Sequence, residues 1–391
     1  MKIGYNKARP MGVLLGLCAI VFVQGCQGNG PRGKENENGA LLGQVTMAAD
    51  EPLANRCAID PIGDLESRLV RDPQYVMAYR SGADPCSVSA PTTDRNLGHR
   101  QGIQRLARGD RNFFAVTSSV QKGAAGFEVV QLDSRGSTQE TLGENASPGG
   151  WPGCDDRVVA YGAFPEDARN HAGGIQVMGS HLIVPMEDST YVQVGAFRLV
   201  DLSHPATPVL GELIPRQRGA TRNSGEAALT RLGDESFLAM IFGWDAAEAE
   251  IFLSTATSPS LAAVDWRSTW AGSMPSGFPA YQNLQFLTQC DGRLFLVGTF
   301  RDGAGNDIVD LWRFELFVVE DEVELILSKA TSVTLGCRSP HTGDASYCDF
   351  NAGAGAYVSA KGRVHVYGVE PHNDAVAGSD RAVKVREFFS E

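Results

Sequence analysis

Apolar positions in this chain come in short runs, broken by Gly, Asp and Ser. The stretch His171–Pro208, HAGGIQVMGSHLIVPMEDSTYVQVGAFRLVDLSHPATP, holds three runs of strand character: GIQVM, HLIVPM and GAFRLVDL. Its opening, His-x-x-Gly-Ile-Gln, occurs once more at His99–Gln104. Five units follow one order, starting near His99, His171, Ser224, Ala280 and Ala352. Each has a short inner strand, a tight turn, a second apolar strand, a longer polar loop and a third strand. The turns RGDR, GSH, GDES, CDGR and AKGR carry residues that hairpins need. The runs STQETLG, PVLGELI, AAVDWRSTW and EVELILSKATSV lie between units and are expected to be fourth, outer strands.

Four antiparallel strands per unit, recurring every 53 to 72 residues, predict an all-β fold and specifically a β-propeller. Five blades are expected, with six or seven as the alternative. The fifth unit ends at Glu391 without an outer strand, so residues 41–98 are expected to supply it and join the chain's two ends. The alternative sixth blade would combine 41–98 with strands around 137–170. Composition agrees: 44 glycines, 43% apolar residues and 20% charged residues suit many short strands with a real core.

Residues 1–25 read as a targeting segment. Lys2, Lys7 and Arg9 precede the apolar run MGVLLGLCAIVFV, which is short for a membrane span and suited to a signal peptide. Val23-Gln24-Gly25-Cys26 resembles the lipobox of bacterial lipoproteins, although Gln24 is an uncommon choice there. The resemblance implies that Cys26 is lipidated and becomes the N-terminus; an ordinary signal peptide with a chance cysteine is the alternative. Gln27, rather than Asp, after that cysteine implies the outer membrane of the cell envelope. Residues 26–40 form a polar tether, and 41–391 the folded domain. Removing the leader takes away three cations and no acid, so the formal charge moves from −12 to −15. Nucleic acid is excluded as a partner on that charge. A monomer is expected, attached to the membrane only through its lipid.

Six cysteines remain beyond Cys18 and Cys26: Cys57, Cys86, Cys154, Cys290, Cys337 and Cys348. An even number in an exported chain suggests disulfides, with fifteen possible pairings. The expected set is Cys337–Cys348, Cys57–Cys86 and Cys154–Cys290. Neither a metal site nor a cofactor is expected, because no Cys/His spacing fits zinc and no phosphate-binding or nucleophile-elbow motif is present.

In the second unit, Phe197-Arg198-Leu199-Val200-Asp201-Leu202-Ser203 with Pro205 and Pro208 resembles LVIVD-type propeller repeats of bacterial surface proteins. The resemblance implies fold and carries no activity.

The polar residues that recur on inner strands are the candidate ligand-binding set: His99, Gln104, His171, Gln176 and Gln285, with Glu226 beside them. The bland expectation is that they bond neighbouring backbone; the functional one is that they converge at the axis. A binding or scaffold module for a glycan, small molecule or protein is the first expectation, and no catalytic residue is assigned. The alternative is a carbohydrate-active hydrolase using carboxylates in the axial funnel, with Glu226, Glu187, Asp155, Asp156 and Asp291 available. Trp244, Trp266, Trp270 and Trp312 are expected mainly in packing, with an exposed Trp at the mouth suited to sugar stacking.

Overall fold

Middle strands here are mostly apolar and buried along their length, because they are covered on both faces. Phe237–Phe242 (FLAMIF) and Val364–Val369 (VHVYGV) are buried throughout, whereas the outer strand Val209–Pro215 is intermediate or exposed along its length. The computed structural model describes residues 40–41, 56–69, 75–80, 99–108, 111–119, 125–132, 157–164, 169–187, 195–219, 223–232, 236–254, 261, 264–319, 322–336, 348–351, 353–369 and 382–390.

Among these, the strands form four-stranded antiparallel groups. The first is His99–Arg108, Arg111–Ser119, Gly126–Gln131 and Arg157–Ala163. The second has a split inner strand, His171–Ala172 and Gln176–Met178, then His181–Glu187, Ala196–Asp201 and Val209–Pro215. The third is Glu226–Arg231, Phe237–Phe242, Glu248–Ser254 and Trp266–Ser273. The fourth is Asn283–Thr288, Leu294–Arg301, Asp307–Val319 and Glu322–Leu335, with Ala40–Leu41 added beside Phe317 and Val318. The fifth is Ala354–Val358, Val364–Val369 and Ala382–Phe389, completed by the early strand Tyr75–Arg80. The expected exchange between the two ends of the chain is therefore present, in register from Tyr75↔Glu387 to Arg80↔Ala382. One expectation is corrected. The first group's outer strand is Arg157–Ala163, paired with Gly126–Gln131; STQETLG lies outside the described residues.

Inner strands meet in cyclic order: first with second, second with third, third with fourth, fourth with fifth, and fifth with first. The last contact includes a parallel pair, Ala354↔Gly102, which joins two groups into one continuous sheet. Five apolar clusters fill the same five seams. Phe113 and Phe127 meet Ile175 and Leu182; Phe197 and Ile183 meet Phe237 and Ala239; Met240 and Phe242 meet Phe286 and Trp312. Phe295 and Leu311 meet Phe350 and Phe388, and Phe114 meets Tyr367 and Val385. The closing seam also carries polar ties. Arg105, wholly buried, donates to Tyr367 at 3.1 Å and to Asn112 at 3.2 Å, and Tyr367 donates to Glu387 at 3.0 Å.

Residues 56–69 cross the turns of the fourth and fifth groups. Ala58 forms a parallel bridge with Gln289, and Ile59 donates its N–H to the Gly362 carbonyl at 2.9 Å. Buried Asp64 accepts from the Val364 N–H, Arg363 and Arg68 at 3.0, 3.0 and 2.5 Å. A disulfide, Cys57–Cys290, fixes this segment to the fourth group. It overturns the expected Cys57–Cys86 and Cys154–Cys290 pairings: Cys57 is carried to the turn holding Cys290 by the Ala58–Gln289 bridge. Cys348 is disulfide-bonded as well. Cys26, Cys86, Cys154 and Cys337 lie outside the described residues.

Candidate functional site at the axial mouth

The inner strands carry equivalent positions, set by register. Gly102 pairs with Ala354, and Gly174 with Glu226. Two residues further along each inner strand lie Gln104, Gln176, Ala228, Gln285 and Ala356. The three glutamines bind main chain of neighbouring groups. Gln176 accepts the Leu229 and Phe286 N–H groups through Oε1, both at 2.9 Å, and donates to the Phe286 carbonyl at 2.8 Å. Gln285 donates to Ile175 O at 3.0 Å and accepts from the Ala356 N–H at 2.6 Å. Gln104 accepts from the Val177 N–H at 3.3 Å and donates to Ala356 O at 3.2 Å. Each amide therefore ties together inner strands of different groups. All three were candidate ligand-binding residues; here their hydrogen-bonding capacity is spent on backbone, as buried amides require.

The end of the axis where the inner strands begin is different. Glycine lets the strands close on one another here. A Cβ at Gly173 would stand 1.5 Å from the Gly225 carbonyl oxygen, and one at Gly174 would stand 2.7 Å from that of Gln282. The Gly174 N–H donates to Gly225 O, and the Ala227 N–H donates to Gly174 O, both at 3.0 Å. This close approach places Glu226, which opens the third inner strand, beside the second group.

Glu187 ends the second strand of that group, opposite His171 in register. Its Oε2 accepts the Ser224 N–H at 2.9 Å, and its Oε1 lies 3.2 Å from His171 Nδ1. Glu226 is buried, and its Oε2 has no hydrogen-bond partner. Burial, then the neighbouring carboxylates Glu187 and Asp245, push its pKa well above the ordinary carboxylate value; Arg216 opposes this and does not win. Arg216 is itself engaged. Its Nε lies 3.4 Å from Glu250, and Nη1 donates to the Asn223 carbonyl. Asn223 Oδ1 accepts the Trp244 N–H at 3.0 Å. Trp244 is 50% exposed, and its ring is within 4° of parallel to that of His171, with centroids 6.0 Å apart. Asp245 and Ala246 follow with φ of 61° and 49°, in the left-handed region that costs energy in non-glycine residues.

The site thus unites Glu226, His171, Glu187 and Trp244, all named from sequence, with Arg216, Asn223 and Ser224, which were not. Register was the available signal for Glu187. Counting back from the Met178–His181 turn places it opposite Ala172, and a one-residue shift where the inner strand splits moves it to His171. The first unit has Ser119 opposite His99 at that place, and Gln101 contacts both. Asp291 sits in an exposed turn, paired with Arg293 at 2.5 Å; Asp155 and Asp156 lie outside the described residues. Trp312 is buried and donates to Tyr281 Oη at 2.6 Å, and Trp266 packs edge-on to Phe197. Asp302 accepts from the Ala304 and Asn306 N–H groups and from the Asn306 side chain, as a hairpin tip does. Among the described residues no group of three or more His, Cys, Asp or Glu side chains is placed to hold a metal ion.

No family model and no curated protein matches the sequence, so the LVIVD likeness of Phe197–Ser203 stays local. Solved structures similar to the chain include a glycoside hydrolase at 9% identity, covering 83% of this chain and 92% of that one, with a TM-score of 0.40. An α-L-arabinofuranosidase from Podospora anserina in complex with cellotriose has 8% identity, coverage of 81% and 98%, and a TM-score of 0.36. The phage phi92 endosialidase has 11% identity, coverage of 90% and 69%, and a TM-score of 0.36. At these scores the functional argument rests on the side chains of this chain alone.

Proposed function

We propose that the chain is a five-bladed β-propeller whose axial mouth hydrolyses glycosidic bonds. The cyclic order of inner strands and seam clusters supports the blade count. The observation that carries the activity is Glu226: a buried acid with an unpartnered oxygen, its pKa raised by burial and then by Glu187 and Asp245. A second carboxylate beside it, Glu187, is oriented by the Ser224 N–H and by His171. An acid and a second carboxyl group beside it are what acid–base hydrolysis of a glycoside requires. Glu226 donates its proton to the leaving oxygen as the C–O bond breaks, and Glu187 takes a proton from the water that attacks the anomeric carbon. The test is release of reducing ends from polysaccharides by the wild-type chain, Glu226→Gln and Glu187→Gln. Loss in both variants with unchanged circular dichroism supports the reading; unchanged turnover in either overturns that residue's role.

A second reading, a glycan-binding module without turnover, is favoured by the tightness of the cluster, in which Glu187 is 1% and Glu226 3% exposed. Saturable glycan binding with no product would select it. For the setting, we propose a monomer tethered to the bacterial outer membrane through lipidated Cys26. The leader supports this: its cationic start, apolar run and Val-Gln-Gly-Cys end match a lipoprotein signal. Cys26→Ala should leave the membrane fraction, and retention there would remove the lipid anchor from the account.

A further inference from the structure

We infer that Trp244, braced by the stacked ring of His171, forms a preset platform that docks the apolar face of a neutral pyranose ring at the entrance to the acid pair. The inference rests on the glycan reading of the site and names its substrate class. Four large hydrophobic residues are exposed among the described ones, and Trp244 is the aromatic one, beside Ile59, Val209 and Ile326. It is not a loose surface ring. Its N–H is held by Asn223 Oδ1 at 3.0 Å, and Asn223 is in turn bound through its carbonyl by Arg216. A Cβ on Gly225 would lie 3.5 Å from Trp244 Cα, so the Trp244 backbone rides on the residue just before Glu226.

The turn behind it is closed by Gly243 N–H to Glu248 O at 2.7 Å and Ala246 N–H to Gly243 O at 2.9 Å. Two consecutive non-glycine residues, Asp245 and Ala246, take positive φ to make that turn. A strained turn that holds an indole outward is retained when the outward ring has work to do. The His171 ring lies parallel to the indole, stacked at 6.0 Å between centroids, and braces one face of it while itself contacting Glu187. A sugar lying on this surface would have its ring edge at the acid pair.

Charge selects the class of sugar. Glu187 and Asp245 raise the negative potential at Glu226, and the nearby cation, Arg216, is paired with Glu250. A uronate or sialate would meet carboxylates with no free cation among these residues; a neutral ring meets no such penalty.

The test is calorimetric titration of the full chain with cellotetraose, xylotetraose, mannotetraose and tetragalacturonate, alongside product analysis. At least one neutral oligosaccharide should bind and tetragalacturonate should not. Trp244→Ala should weaken binding about tenfold, whereas Trp244→Phe, which keeps a flat ring, should weaken it about threefold. Asp245→Gly should raise the melting temperature, because glycine accepts the positive φ, while weakening binding. Binding of tetragalacturonate as tight as that of the neutral sugars, no binding of any neutral sugar, or full affinity in Trp244→Ala would overturn the platform. Product release distinguishes the two readings. Binding that is lost in Trp244→Ala but never yields product sinks the hydrolase and keeps the platform; turnover indifferent to Trp244→Ala does the reverse.

Discussion

Two layers of the same axis treat buried polar groups in opposite ways. At the glutamine layer every amide is spent: Gln176 alone serves two N–H groups and one carbonyl on two other inner strands. One layer towards the mouth, Glu226 Oε2 and Ser224 Oγ are buried without a hydrogen-bond partner, and Glu187 Oε1 and His171 Nδ1 have only their mutual contact at 3.2 Å. Folding alone explains the first layer, because a satisfied network rigidifies the place where five strands converge. It does not explain the second, where unsatisfied groups cost free energy and are kept. The saturated layer is scaffold; the unsaturated one is where a ligand would complete the bonding.

The largest effect that would break this contrast is catalytic. Glu226→Gln should lower turnover about 10²–10⁴-fold, the usual contribution of a general acid, with the fold intact. Next is Gln176→Ala, which strips partners from Leu229 and Phe286 main chain and should cost about 3 kcal/mol in a denaturant titration. A loss near zero would show that the glutamine layer is not a staple. The N-terminal strap tests the scaffold from outside the axis. Cys57→Ser with Cys290→Ser should cost about 2–4 kcal/mol, since that bond spans 233 residues of sequence.

Smaller still is the pH term. Glu226 has its folded pKa raised well above the 4.5 of an ordinary glutamate, first by burial and then by Glu187 and Asp245. The unfolded state therefore releases this proton first, and the stability it supports is complete below pH 4.5 and declines as pH rises through the folded pKa. Glu226→Gln should remove that decline, read as melting temperature against pH. The smallest effect is expected at Arg100, whose three guanidinium nitrogens are buried without a hydrogen-bond partner. Arg100→Met should leave stability unchanged or raise it by about 1 kcal/mol. A large loss would mean that this cation is already satisfied and that unsaturation is not particular to the acid mouth.

The architecture was legible in the sequence because strand pattern and turn chemistry repeat. GSH, CDGR and AKGR sit at hairpins among the described residues, and the fifth unit's missing strand pointed to the N-terminal segment that supplies it. The first unit's outer strand was misplaced because STQETLG and RVVAYGA both have strand composition, and only cross-strand packing against Gly126–Gln131 chooses between them. Disulfide connectivity was out of reach, since the Ala58–Gln289 bridge that brings Cys57 to Cys290 is a long-range contact without a local signal. At the site, the glutamines were visible as repeats, and repetition itself marked them as scaffold. Glu226 was named because it lies just before the third unit's inner apolar run. Arg216 and Asn223 gave no signal, because they act from loops between groups through backbone and charge.

The central claim is that Glu226 is the acid of the pair, its pKa raised well above the ordinary carboxylate value, and it can be read directly. In the chain labelled with ¹³C at glutamate side-chain carboxyls, one resonance, absent from Glu226→Gln, should titrate well above the ordinary carboxylate range and shift when Glu187→Gln removes the neighbouring charge. A Glu226 resonance that titrates with the surface glutamates would contradict the account.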